Sequence, residues 1–107
     1  MKSRSPSSSE RWTLRVLARA QRAIEQAGQW WVENHGPVVR SPLEVELADA
    51  FEALLAFPHL GHERQWRERP MRSLALRCGF HIIYRCRPRL EVIEIVNVVA
   101  GARLHGP

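Results

Sequence analysis

The chain concentrates its arginines in one stretch of its second half. Eight arginines lie between residues 64 and 89, with Glu68 as the only acid among them, so that this stretch carries a formal charge of +7. Arginine keeps its charge, and its planar guanidinium suits carboxylates and phosphates. The stretch therefore predicts an acidic partner, such as RNA phosphates or an acidic protein. A solvated charged face that binds nothing is the alternative.

The other residues that could do chemistry are histidines and cysteines. His59 and His62 form the only close pair of histidines, and no cysteine lies near them, so we expect no metal and no cofactor. If Cys78 and Cys86 lie on one strand, about 26 Å separates them, whereas a disulfide needs Cα atoms within about 7 Å. Two free thiols are consistent with a reducing cytoplasm.

Length and composition bound the architecture. A chain of 107 residues suits one domain with a single core. It has 15 arginines, one lysine and a formal net charge of +5, a bias that a genome rich in G and C would also produce. No apolar run approaches the roughly 20 residues that a membrane-spanning helix needs, so no membrane partner is expected.

The first segment lacks apolar side chains. Residues 1–11 are rich in serine, which predicts a disordered tail ahead of a domain that spans residues 12–107. Over residues 12–17 apolar and polar side chains alternate, which predicts the first strand.

Two helices are expected next. Apolar residues follow helical spacing until His35-Gly36-Pro37, which combines a glycine cap with a proline that cannot continue the helix. Ser41-Pro42-Leu43-Glu44 has the pattern of a capping box and begins the second helix, which Pro58 ends. Trp30 and Trp31 fall within the apolar stripe of the first helix, so at least one of them is expected in the core.

The second half predicts a loop and three strands. Residues 58–70 show no periodicity, whereas residues 71–77, 79–86 and 90–99 read as strands joined by short turns, which makes them antiparallel neighbours. The last strand is nearly all aliphatic, which indicates an interior position. The predicted fold is two-layer α+β in the order β-α-α-β-β-β, with an antiparallel sheet and a two-helix hairpin on one face.

Alternation along these strands also groups charged residues. His81 and Arg85 share one face of their strand, and Arg72 shares a face with its aliphatic neighbours. If Arg72, His81 and Arg85 all face away from the helices, they form one basic patch on the open face of the sheet.

Five segments form a recognisable pattern when taken in order. They are residues 16–34, residues 51–61 with their Phe-Pro-x-Leu-Gly turn, and residues 72–76, 80–85 and 92–103. In this order and spacing they resemble the RelE/ParE-type toxins of bacterial toxin–antitoxin pairs. The resemblance covers about residues 12–104 and implies the fold predicted above.

The resemblance implies one of two activities. RelE-like members cut mRNA on the ribosome, and ParE-like members inhibit DNA gyrase. Cleaving members carry an arginine after a Gly-aromatic pair, where this chain has His81, and lysines where it has Ser73 and Ala75. These differences favour a ParE-like gyrase inhibitor that is not an enzyme. A ribonuclease would have to draw its acid, base and cations from a different set: His81, Arg85, Arg103 and His105.

The resemblance also implies a cognate, ParD-like antitoxin in a hetero-oligomer with this chain. An antitoxin segment that carries acids and aliphatic residues would meet arginines and an apolar surface. The expected contact residues are Arg72, Arg77, Tyr84, Arg85, Arg103, Trp31, Phe51 and Leu55. A relative that binds an antitoxin without being toxic is the remaining interpretation.

Overall fold

The computed structural model describes residues 12–37 and 41–101, so the tail predicted over residues 1–11 lies outside the described residues. The elements in chain order are β1 (Thr13–Val16), α1 (Ala18–His35), α2 (Pro42–Ala56), β2 (His62–Trp66), β3 (Arg69–Ala75), β4 (Phe80–Arg87) and β5 (Val92–Ala100). The predicted α+β architecture, with a helix pair packed on one face of the sheet, is confirmed.

Local sequence signals determine where α1 ends and where α2 begins. α1 ends at Gly36, which has a φ of 83° and donates its N–H to Val32 O at 2.8 Å. α2 begins with a complete capping box, in which Ser41 Oγ accepts from Glu44 N–H at 3.2 Å and the Glu44 carboxylate accepts from Ser41 N–H at 3.0 Å. Because the box satisfies two backbone N–H groups, it fixes where α2 begins.

The sheet has the strand order β1-β5-β4-β3-β2. β3, β4 and β5 are antiparallel neighbours, as predicted, and β2 pairs antiparallel with β3. β1, by contrast, runs parallel to β5, with Thr13 opposite Val92. The aliphatic β5 lies between β1 and β4, which confirms its interior position. A parallel neighbour requires a crossover connection, and α1 begins that connection directly after β1.

The two faces of the sheet have different surroundings. The helix face packs against α1 and α2, and its buried side chains are Ile82, Tyr84, Ile93, Ile95 and Val98. The open face carries a smaller apolar cluster, which consists of Trp66, Met71, Ile83, Val96 and Val99. No described helix residue belongs to that smaller cluster, so the helices cover one face only.

A β-bulge lets β5 serve both faces. Tyr84 lies opposite Ile95 and Ile83 lies opposite Asn97, which leaves Val96 as an extra residue of β5. Because an extra residue shifts the alternation by one, apolar side chains near both ends of β5 reach the helix face.

The loop predicted over residues 58–70 is wrong in its second half, where β2 and the start of β3 form a hairpin. The turn consists of Arg67 and Glu68, which both have positive φ (52° and 65°). Glycine or asparagine usually takes such positions, so the sequence lacks the common hairpin signal. β2 is also a largely exposed edge strand, and its polar residues show no alternation.

The expectation that a tryptophan of α1 lies in the core is also wrong. Trp30 is 53% exposed, and Trp31 stacks on His35 with ring centroids 4.2 Å apart. Neither ring belongs to a core cluster of the described residues. The contacts of α1 with the core end at Ala27, so the aromatic residues beyond it lie outside the core.

The link between α2 and β2 is fixed by two side chains of the sheet. Gly61 donates its N–H to the Tyr84 hydroxyl at 2.7 Å, and the Arg72 guanidinium donates to Gly61 O at 2.7 Å and to His59 O at 3.3 Å. A Cβ at Gly61 would lie 2.7 Å from Ser73 O. This position therefore requires glycine.

We expect Gly61→Ala to lower the free energy of unfolding by about 1–3 kcal/mol, because the added methyl group overlaps a backbone oxygen. Gly28→Ala is the matched control, since no heavy atom lies within 4 Å of a Cβ at that helical position. Its better helix propensity should raise the free energy of unfolding by about 1 kcal/mol. Urea denaturation measures both, and a Gly61→Ala variant as stable as the parent would contradict the packing of this link.

Candidate functional site

Two arginines on the open face share one carboxylate. Arg85 and Arg87 lie two residues apart on β4, so both side chains project from the same face as Ile83. Glu94 of β5 lies opposite Arg85. Its Oε1 accepts a hydrogen bond from Arg85 Nε at 2.6 Å and another from Arg87 Nε at 3.0 Å.

The two arginines also keep Glu94 ionised. Glu94 is 7% exposed, a position where an unpaired carboxylate is unfavourable. Burial by itself raises the pKa of Glu94, but the hydrogen bonds and charges of Arg85 and Arg87 outweigh burial and leave the pKa below its ordinary value. Glu94 is therefore charged at neutral pH and holds both guanidiniums in place.

Arg85 and Arg87 line a concave site of about 820 Å³, which we call the arginine pocket. Arg69 from the start of β3 and Arg89 from the β4–β5 turn complete its set of cations. The rest of its lining is largely apolar and consists of Pro70, Met71, Cys86, Pro88 and Leu90. Four guanidiniums line the pocket, and two of them share the Glu94 carboxylate, so the lining has an excess of positive charge that suits an anionic ligand.

The cations of the arginine pocket suit the binding of an anion. Cys86 is its one potential nucleophile among the described residues, but burial raises the pKa of the Cys86 thiol. That thiol donates to Pro58 O at 3.3 Å. Since the thiolate is the reactive form, a thiol held protonated is a poor nucleophile.

The basic patch expected from Arg72, His81 and Arg85 does not form as one surface. Arg72 lies opposite Tyr84 on the helix face, whereas His81 and Arg85 lie on the open face. Besides its bonds to the α2–β2 link, Arg72 pairs with Glu63 at 3.4 Å. Which face Arg72 takes depends on the register between β3 and β4, and alternation within one strand does not determine that register.

Three further candidate contact residues lie in or against the core. Tyr84 is fully buried, and its hydroxyl accepts the Gly61 N–H. Phe51 and Leu55 are partly buried and pack from α2 against the main core. These three side chains already contribute to the packing of the fold itself.

The remaining candidates are dispersed. Arg77 is exposed in the β3–β4 turn, at the end of the strands opposite the arginine pocket. Trp31 is half-buried against His35. Arg103 and His105 lie outside the described residues.

His81 and Arg85 are well separated along the open face. Both lie on the same face of β4 with Ile83 between them, so about 13 Å separates their Cα atoms. Ser73 and Ala75 lie opposite Ile83 and His81 on the open face and carry no charge.

A second concave surface, the α1–β5 groove, lies between the first helix and the end of the sheet. It has a volume of about 610 Å³ and combines apolar walls with arginines. Its side chains include Arg19, Arg22, Trp30, Phe80 and Val99.

Sequence reasoning missed Arg69, Arg87, Arg89 and Glu94. A usable signal was present, because residues 85, 87 and 89 are alternate arginines in one segment and Glu94 interrupts an aliphatic strand. A carboxylate in such a strand is rarely buried unless it is paired. A pairing between the two strands follows from that pattern.

The remaining features of residues 12–37 and 41–101 that bear on function concern metals, membranes and thiols. No group of three or more His, Cys, Asp or Glu side chains there is arranged to hold a metal ion. No helix of these ranges is long and apolar enough to cross a membrane. Cys78 and Cys86 are free thiols, as predicted.

Comparisons with known proteins place the fold among toxins. The family described as the ParE toxin of the type II toxin–antitoxin system parDE matches residues 14–105. The chromosomal ParDE system from P. aeruginosa is similar over 84% of this chain and 96% of that chain, with a TM-score of 0.69 and 16% identity. The RelBE2 toxin–antitoxin complex from Mycobacterium tuberculosis is similar over 83% of this chain and 90% of that chain, with a TM-score of 0.60 and 18% identity. No curated protein sequence matches the chain.

We expect Glu94 to make stability depend on acid pH. Because its pKa is lower in the folded chain than the ordinary value of 4.5, its contribution is present at neutral pH and is lost as the pH falls below 4.5. Glu94→Gln should lower the free energy of unfolding at neutral pH by about 1–3 kcal/mol. It should also make the free energy of unfolding fall less steeply as the pH is lowered. Urea denaturation across this range measures both effects. The control is Glu52→Gln, which changes an exposed acid of α2, and identical pH profiles for the two variants would contradict the expectation.

Proposed function

The chain belongs to the ParE toxin family of type II toxin–antitoxin systems, and we propose that it inhibits DNA gyrase and is neutralised by a cognate antitoxin. The family match spans residues 14–105, which includes every described helix and nearly every described strand residue. In this proposal the toxin acts by binding its target, not by hydrolysis. A cytoplasmic location, where gyrase works, stays a prediction.

The observation that supports gyrase inhibition over RNA cleavage is the separation of charged groups on the open face. A ribonuclease needs an acid or base and a cation at the same phosphate. Here His81 lies at one end of β4 and the arginine pocket lies at the other, with the apolar Ile83 between them. This arrangement supports a toxin that recognises a protein target.

Two surfaces support the antitoxin partner. The similar structures from P. aeruginosa and M. tuberculosis are described as a toxin–antitoxin system and a toxin–antitoxin complex. In this chain, the α1–β5 groove and the arginine pocket both combine apolar walls with arginines. A ParD-like protein with amphipathic segments fits that chemistry and gives a hetero-oligomer.

A supercoiling assay with purified gyrase tests the proposed target. The chain is first freed of any co-purified partner and is added to gyrase and, in parallel, to a cell-free translation reaction. We expect supercoiling to be lost while translation continues. His81→Ala should inhibit gyrase as well as the parent does, because His81 has no catalytic role in this proposal.

The same pair of reactions identifies the competing activity. Intact supercoiling with blocked translation would contradict gyrase inhibition and support ribosome-dependent mRNA cleavage, and His81→Ala should then restore translation. If neither reaction is affected, the chain is not a toxin for these targets, and binding to an antitoxin is the function left to test.

A further inference from the structure

The arginine pocket contains donor groups that the fold does not use. Arg85 and Arg87 each use Nε to bind Glu94, and within the described residues no acceptor binds their terminal Nη groups. The side chains of Arg69 and Arg89 likewise form no hydrogen bond or ion pair with any described residue. The guanidinium groups that line the pocket can therefore bind a ligand without breaking a contact of the fold.

Glu94 prepares two of these arginines for binding. A mobile arginine loses side-chain entropy when it binds a ligand, which weakens the interaction. Arg85 and Arg87 have lost part of that freedom already, because one buried carboxylate oxygen holds both Nε atoms. Their guanidiniums are thus positioned side by side before a ligand arrives.

The lining favours a peptide over a nucleic acid. Proteins that bind single-stranded nucleic acids stack the bases on aromatic side chains. Among the described residues, the lining of the arginine pocket has no aromatic side chain and offers Met71 and Leu90 instead, and Leu90 is 67% exposed. Trp66 lies on the same face but outside the pocket, and the Arg67 guanidinium lies 5.5 Å from the centre of its ring.

We propose that the arginine pocket binds an extended acidic segment of a partner protein through two carboxylates that lie two residues apart. The Cα atoms of Arg85 and Arg87 lie about 6.6 Å apart along β4, and alternate Cα atoms of an extended segment have the same spacing. An aliphatic side chain in the same row contacts Leu90. This inference rests on the proposed function, in which the segment belongs to the antitoxin.

Fluorescence anisotropy with the full chain tests the proposal. The probe is a labelled peptide, Leu-Ser-Glu-Ser-Glu-Ser-Leu, and its control has glutamine at both glutamate positions. We expect the glutamate peptide to bind and the glutamine peptide to bind at least about tenfold more weakly, since charge-assisted bonds to arginine are lost.

Variants of single arginines locate the site. Arg87→Gln and Arg89→Gln should each weaken binding of the glutamate peptide by about tenfold. Arg89 lies in an exposed turn and binds no described residue, so its replacement leaves the fold intact. Arg77→Gln is the matched control, because it changes the net charge equally at the opposite end of the strands, and its effect should stay within about twofold.

Three outcomes would overturn the proposal. Equal affinity for the two peptides would show that the carboxylates do not contribute to binding. If Arg77→Gln and Arg89→Gln weaken peptide binding equally, the peptide is attracted by the net charge of the chain alone. If an oligothymidylate of equal charge binds more tightly than the glutamate peptide, and Arg89→Gln weakens its binding as well, the pocket is a site for nucleic acid. Because the assay contains no gyrase, a negative result here leaves the outcome of the supercoiling assay unchanged.

Discussion

The helices cover one face of the five-stranded sheet, and much of the structure follows from that constraint. Each interior strand must alternate between side chains that pack against helices and side chains that meet water or a partner. β4 satisfies both environments, with Ile82 and Tyr84 on the helix face and two arginines on the open face. β5 is aliphatic apart from Glu94 and Asn97, and its bulge at Val96 returns apolar side chains to the helix face.

The same constraint divides the arginines into two groups. Arg72 lies on the helix face and binds backbone carbonyls of the α2–β2 link, so its charge serves the fold. Arg85 and Arg87 lie on the open face, where Glu94 is their acceptor among the described residues. A buried carboxylate and its arginines depend on one another, since either one alone would be unfavourable. Strand position, rather than residue type, decides which arginines remain available to a partner.

Sequence reasoning predicted the elements whose signals are local, such as the capping box at Ser41 and the aliphatic β5. It missed the β2–β3 hairpin because Arg67–Glu68 adopt positive φ without a glycine or asparagine. It also could not place Arg72 and Arg85 on opposite faces, because that depends on pairing between strands. The bond from Arg85 to Glu94 is more local, because the short β4–β5 turn sets the register that places these two residues opposite each other.

The central feature is a pair of guanidiniums that Glu94 holds on the open face, and NMR of the arginine side chains tests it most directly. The Nε–H groups of Arg85 and Arg87 donate to one carboxylate oxygen. We predict that both exchange with water more slowly than the Nε–H of Arg89, which has no acceptor among the described residues, and that Glu94→Gln removes the difference. Exchange at Arg85 and Arg87 as fast as at Arg89 in the parent chain would contradict a preorganised arginine pocket.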